Sequence, residues 1–274
     1  MSVVTISRQV GSLGDEIGGL VAEKLGYELV TREGIHRLAR ECDLEFKDAC
    51  AAFEEERGAG FWERLFYRDP AYTSLFEALN LELAAKGKVV ILGRGAQIAL
   101  ADVPGVFHAR VVAPAAIRVQ RVRERMGLSA EDAVEFVHNY DKQRRALIES
   151  VYQKDLSDWS LYDLVLNTAS LTAEAGAELI ALAVRKLPVL LEPELVNQEL
   201  ARRAFAKRVE SAIKKKVLTS PYRDIQVRSL VEGEVILEGF VQDKMGRQRA
   251  GEIAARHPGV SAVDNRLRTT ELSF

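Results

Sequence analysis

Arginines and glycines are the residues of this chain whose placement could do chemistry. The run Val3-Val4-Thr5-Ile6-Ser7-Arg8-Gln9-Val10-Gly11-Ser12-Leu13-Gly14-Asp15-Glu16-Ile17 passes from an apolar β-branched stretch into a loop with two glycines. Apolar residues then recur at helical spacing through Ile17, Leu20, Val21 and Leu25. Strand, glycine loop and helix in that order let consecutive backbone N–H groups converge on an anion beside the positive end of the helix dipole. Gly11, Ser12, Leu13, Gly14, Asp15 and Glu16 are therefore candidates to surround a phosphate. The loop lacks the lysine and the Ser/Thr of the phosphate-binding pattern G-x-x-x-x-G-K-[ST]. Asp15 and Glu16 also place negative charge in the first helical turn, which suits the dipole but opposes a phosphate. An ordinary turn whose acids stabilise a helix start is the competing reading.

Positive charge must then come from elsewhere, and a guanidinium fork matches phosphate oxygens well. Lys88-Val89-Val90-Ile91-Leu92 reads as a buried parallel strand ending in Gly93-Arg94-Gly95. Ligands of open parallel sheets sit beyond the carboxyl ends of strands, where Arg94 would project. A further strand, Val106 to Ala113, leads through Pro114 at a helix N1 position to Arg118, Arg121 and Arg125 at i, i+3 and i+7, on one helical face. Ser129-Ala130-Glu131-Asp132 is a capping-box-like start for a long helix carrying Tyr140-Asp141-Lys142-Gln143-Arg144-Arg145. A solvated charge face, or an Asp141–Arg145 surface pair, is the plain alternative for these helices. Thr31 is a candidate N-cap for a helix bearing Arg32 and Arg37.

The elements that would hold these residues alternate as strand and helix up to about Lys186. Residues 43 to 86 are helical in pattern, interrupted by the aromatic stretch Gly58 to Tyr67, which reads either as a small satellite core or as a closing lobe. Prolines interrupt an apolar run at 187–193, and an α-β-β-α-β pattern follows, with a turn at Glu232-Gly233. The chain has 274 residues, 47% hydrophobic and 28% charged, which suits two domains. A net charge of −2 gives no global field for nucleic acid. No run of about 18 apolar residues suggests a spanning helix, so a cytoplasmic location is expected. The two cysteines, Cys42 and Cys50, read as buried small hydrophobes, and the four scattered histidines do not suggest a metal site.

The string S-R-Q-x-G-S-x-G-x-x-I, followed by Leu25-Gly26-Tyr27, Thr31-Arg32-Glu33, Gly93-Arg94 and a last strand ending in Asn167-Thr168, resembles the cytidylate kinase-like family over residues 1 to 185. The lysine-free loop is usual there. The resemblance implies a three-layer α/β P-loop kinase fold with a parallel sheet, nucleotide substrates, ATP and Mg²⁺. It implies Arg8, Arg94, Arg121, Arg144 and Arg145 as catalytic residues, and Arg32, Arg37 and Arg118 beside the loop as nucleotide-binding ones. Mg²⁺ would be held through Ser12, water or an acidic side chain. Gly95 stands where cytidylate kinases carry an aspartate that helps read the base. The patterns G-x-V-x-L-x-G-x-V from Gly233 and H-P-G-V-x-x-V-x-N-x-L from His257 resemble a BON domain, a small α+β module that in its family binds lipids, proteins or small ligands. The expected division is 1–187 kinase-like domain, 188–197 linker and 198–274 BON-like domain. Two functional readings stand: phosphoryl transfer from ATP to a nucleotide, with CMP the first candidate, or a catalytically reduced nucleotide-binding or regulatory module coupled to the BON domain.

Overall fold

The computed structural model describes residues 3–31, 70–93, 95–187, 193–217 and 225–270. Arg32, Arg37, Arg94, both cysteines and the aromatic stretch 58–67 lie outside the described residues. The chain divides into two compact units, Met1–Arg64 with Lys86–Pro193, and Leu65–Ala85 with Glu194–Phe274.

The first unit is built on one parallel sheet. Its strands are β1 (Val3–Arg8), β2 (Glu28–Val30), β3 (Val89–Leu92), β4 (Val106–Val112) and β5 (Leu164–Asn167), in the order β2-β3-β1-β4-β5. All four pairings are parallel. β1 lies at the centre, which is why it is a nearly unbroken apolar and β-branched run with helices over both faces. Its register sets Val4 beside Val90 and Phe107, and Ser7 beside Arg110. One core layer joins Val4, Ile6, Val90, Leu92, Ala109 and Val111 to Ile17 and Val21 of helix α1 (Gly14–Leu25) and to Ala177, Ile180 and Val184 of a late helix (Ala173–Arg185).

After β4 the chain forms helix Ala115–Met126, with Pro114 one residue earlier than its sequence suggests, at the N-cap. Helix Ala130–Tyr152 opens where expected, Ser129 Oγ accepting from Asp132 N at 3.1 Å. A 3₁₀ turn, Trp159–Leu161, then delivers the chain to β5.

The second unit contains a helix that the sequence places within residues 1–187. Helix Pro70–Lys86 packs on helix Pro193–Val217, which begins inside the expected linker. The reason is polar as well as apolar. Arg208 forks onto Glu82, with NH2 2.7 Å from Oε2, and Lys207 Nζ lies 2.8 Å from Glu77. Ser74 Oγ and Lys214 Nζ donate to Glu210, at 2.7 and 2.6 Å. Glu210 is 1% exposed and also accepts from Val227 N at 3.0 Å. Burial alone would raise this carboxyl, but Lys214 and Lys207 more than offset it, holding its pKa below the usual carboxylate range. The rest of the unit is the expected small α+β arrangement. Strands Gln226–Arg228, Glu234–Glu238 and Ala262–Asn265 form one sheet, strands Phe240–Val241 and Arg268–Thr269 pair separately, and helix Lys244–Ala255 packs beside them. No described helix is long and apolar enough to cross a membrane.

Candidate active site

The loop between β1 and α1 is shaped by what captures its carbonyls. Gln9 O accepts from Ser12 Oγ at 2.7 Å and from Ser12 N at 3.3 Å. Arg118 NH1 reaches Val10 O at 3.3 Å, Arg121 NH1 reaches Gly11 O at 3.4 Å, and Thr168 Oγ1 donates to Ser12 O at 2.9 Å. Leu13 O accepts from Ile17 N at 2.9 Å, opening the helix. With five successive carbonyls engaged, the loop amides are left as free donors. Ser12 N excepted, no amide from Val10 to Gly14 has a hydrogen-bond partner among the described residues, and α1 has no side-chain N-cap. A set of unpartnered N–H groups at a helix start is an anion cradle. Leu13 sits in the left-handed region at φ 64°, a strained conformation for a branched side chain. Gly11, at φ +74°, has no room for a Cβ, which would lie 2.7 Å from Arg118 O.

Gly14 is closed to side chains in a different way. A Cβ there would stand 2.7 Å from Arg8 Cγ and closer still to Arg8 Cβ. The Arg8 stem lies over Gly14, and its Nε and NH2 lie 2.9 and 2.7 Å from Asp15 Oδ1. Asp15 is thereby engaged, and Glu16 faces Arg125 at 3.9 Å. The two acids that oppose a phosphate by sequence are each met by an arginine.

Beyond the loop lies a cavity of about 130 Å³ lined by Arg8, Arg110, Arg144 and Arg145, with Trp159 among its other walls. Asp141 and Asp155 are its carboxylates, so four guanidinium groups face two acids. Asp141 is bound by Arg118 NH2 at 2.7 Å, while hydrogen bonds from Ser157 hold Asp155 below its ordinary pKa and therefore ionised. Arg110 is 8% exposed; its NH1 donates to Ser7 Oγ at 2.8 Å and to Tyr162 OH at 3.3 Å, and its guanidinium lies 5.4 Å from the Tyr162 ring centre. The Nε atoms of Arg110 and Arg144 are buried with no hydrogen-bond partner. Burial, then the neighbouring charges of Arg8 and Arg110, push the Arg144 pKa down, against the pull of Tyr140. Unpaired buried donors and mutually repelling cations are what an anion would relieve.

The structure therefore brings together Arg8, Arg144 and Arg145 of the residues expected to be catalytic. Arg118 and Arg121 turn elsewhere. Arg118 Nε, NH1 and NH2 bind Ala113 O, Val10 O and Asp141, and it is 4% exposed. Arg121 binds Thr168 Oγ1 and Thr168 O at 3.0 and 2.8 Å. Both hold the back of the loop, because the helical face that unites them by sequence packs against loop carbonyls. Ser12 is fully buried with its hydroxyl committed to Gln9 O, so it is not presented as a metal ligand. Gly95, at φ +68°, lies under Tyr152, whose ring would be 2.8 Å from a Cβ there. Sequence reasoning passed over Arg110. Its signal was a lone charge within the buried run Val106-Phe107-His108-Ala109-Arg110-Val111.

A central parallel strand turning through this loop into a helix, with the arginine cavity beside it, defines an α/β protein of the P-loop kinase type. The chain belongs to the cytidylate kinase-like family, whose model matches residues 3–170, and it carries a BON domain at residues 205–271. A cytidylate kinase of Ignicoccus hospitalis is 28% identical over 185 residues, covering 66% of this chain and 97% of that protein. A uronate isomerase of Corynebacterium glutamicum is 36% identical over 101 residues, 36% of this chain but only 20% of that protein's length. Among solved structures, an uncharacterized protein from Eubacterium ventriosum aligns with TM-score 0.50 and 18% identity over 68% of this chain and 99% of its own, a likeness of fold alone.

Proposed function

We propose that the N-terminal unit binds ATP and transfers its terminal phosphoryl group to a nucleoside monophosphate, with CMP the first acceptor to test. The observation that supports this best is the outward capture of the loop carbonyls from Gln9 to Leu13 beside a cavity where Arg110 and Arg144 keep unpaired buried donors. Phosphoryl transfer asks the protein chiefly for positioning and for stabilisation of charge on the transferring group. On this reading the loop amides hold the donor phosphates. Arg8, Arg110, Arg144 and Arg145 supply the positive charge that a loop lysine would otherwise give. Arg94 is assigned to the same task, with Arg32 and Arg37 toward the acceptor phosphate, on family position.

Among the described residues no group of three His, Cys, Asp or Glu side chains is placed to hold a metal. Mg²⁺ keeps several waters and binds largely through substrate phosphates, so on this reading it would arrive with ATP. When bound it neutralises phosphate charge. The BON domain is assigned a tethering or sensing task through a lipid, protein or small ligand.

A second reading, a catalytically reduced nucleotide-binding module, is favoured by Gly14 in place of the lysine and by the inward-turned Ser12 hydroxyl. One experiment separates them. Thermal unfolding with ATP and Mg²⁺ at one hundred times Kd should show about 2.7 kcal/mol of added stability under both. Transfer of labelled phosphate from ATP to CMP, UMP, AMP or GMP is expected only under the first.

A further inference from the structure

The arginine cavity has an aromatic lip. Trp159 lines it and is 59% exposed, among the most exposed large apolar side chains of the described residues. An indole left open to water costs apolar burial, and its position here is imposed by a short 3₁₀ turn. Asp158 caps that turn, its Oδ1 accepting from Ser160 N and Ser160 Oγ at 2.9 and 2.7 Å, and Tyr162 N closes it by donating to Trp159 O at 3.1 Å. Trp159 opens the turn, and Tyr162, in extended conformation, is its C-cap. Tyr162 points inward, its hydroxyl accepting from Arg110 NH1 while donating to Leu156 O at 3.2 Å. A single turn thus fixes both the guanidinium within the cavity and the ring at its edge.

We infer that Trp159 is a stacking platform for the ring of a bound nucleotide, whose phosphate is drawn to the arginine cluster containing Arg110; the inference rests on the nucleotide-binding reading above. The ligand class is a phosphate ester carrying a flat aromatic base. A π face is common to every base, so recognition at Trp159 selects for the presence of a base and tolerates its identity. A side chain at position 95 would be strained at φ +68° and would have to displace the Tyr152 ring, so a carboxylate there to read a base edge is disfavoured. The turn that presents Trp159 is made entirely by Asp158, Ser160 and backbone groups, so the indole can be replaced without dismantling the cavity.

The test measures binding by calorimetry for CMP, UMP, AMP, ATP and the base-free ribose 5-phosphate, on the full chain and on Trp159→Leu and Trp159→Phe. In Trp159→Leu the base-bearing monophosphates should weaken by roughly tenfold with ribose 5-phosphate unchanged, and Trp159→Phe should stay close to the parent. If ATP weakens in place of the monophosphates, the platform stands and the donor's adenine is the ring it holds. The chain has two tryptophans, so in a Trp62→Phe background CMP should quench the emission of Trp159 while ribose 5-phosphate should not. Equal loss for CMP and ribose 5-phosphate, or no loss for any nucleotide while ATP and CMP still bind, overturns the platform and leaves the kinase proposal standing. Absence of all nucleotide binding by the parent chain overturns both.

Discussion

Arg8 lies over Gly14, with its Cγ 2.7 Å from where a Gly14 Cβ would be, so the last residue of β1 occupies the room above the first residue of α1. The pair explains how a loop without a lysine can be a settled arrangement. Gly14 leaves space for the Arg8 stem, Arg8 delivers a cation over the loop from the strand side, and Asp15 fixes its guanidinium at 2.7 Å. Arg8 also runs over Gly93 at the end of β3, with Arg144 NH2 3.4 Å from the Cβ position there.

Gly14→Lys, which would restore the usual loop residue, should therefore harm the protein. Overpacking of this kind costs about 1 to 3 kcal/mol, and displacement of Arg8 should weaken ATP binding as well. Denaturant unfolding with an ATP titration decides it. A stable Gly14→Lys protein with tighter ATP binding would show that Arg8 does not hold this space.

Arg110→Ala should weaken phosphate-bearing ligands by about 1.5 to 3 kcal/mol, the scale of hydrogen bonds to charged groups. The effect should shrink as salt is added, more for the exposed Arg145→Ala than for buried Arg110→Ala. Nucleotide affinity measured across ionic strength would test this. A folded Arg110→Ala protein with parental affinity would remove that residue from the site.

Thr168→Val keeps shape and removes one hydroxyl from a fully buried position. Ser12 O then loses its donor and Arg121 NH1 an acceptor, at a cost of about 1 to 3 kcal/mol. Because the change relaxes the loop and touches no ligand, it should lower ATP affinity while leaving cavity binding of ribose 5-phosphate near parental. Equal stability and equal ATP affinity would show that the loop needs no tether from the residue that follows β5.

Acid should loosen the second unit at Glu210. Its folded pKa is lowered, so the unfolded chain takes up the proton at higher pH than the folded one. The stabilisation is complete above the unfolded value of about 4.3 and is lost as pH falls through the lower folded value. Glu210→Gln should flatten that acid slope and lower stability at neutral pH by about 3 kcal/mol, chiefly because the largely buried Lys214 loses its carboxylate while Lys207 keeps Glu77. Unfolding free energies from pH 7 down to about 3 give the comparison.

Local chemistry was enough to read much of this protein from its residues. β-branched runs such as Val3–Ile6 and Val89–Leu92 are strands because little else buries them on both faces, and the turn glycines and Ser129 mark helix ends by backbone geometry alone. The glycine loop was legible for the same reason, whereas Arg8, Arg144 and Arg145 came from the family resemblance, and the structure sets them around one cavity. What the sequence left open depends on groups distant along the chain. Whether Arg118 and Arg121 face a ligand or the loop is decided by the carbonyls of Ala113, Val10 and Thr168 that meet them. Arg110 reaches the cavity only because β4 pairs with β1 in the register that sets it beside Ser7, with Tyr162 against its guanidinium. Helix Pro70–Lys86 joins the second unit because Glu82, Glu77 and Ser74 meet Arg208, Lys207 and Glu210, more than a hundred residues away. Periodicity specifies which face of a helix is buried and is silent about what buries it; that choice belongs to the tertiary structure, where charge pairing and close packing select one neighbour.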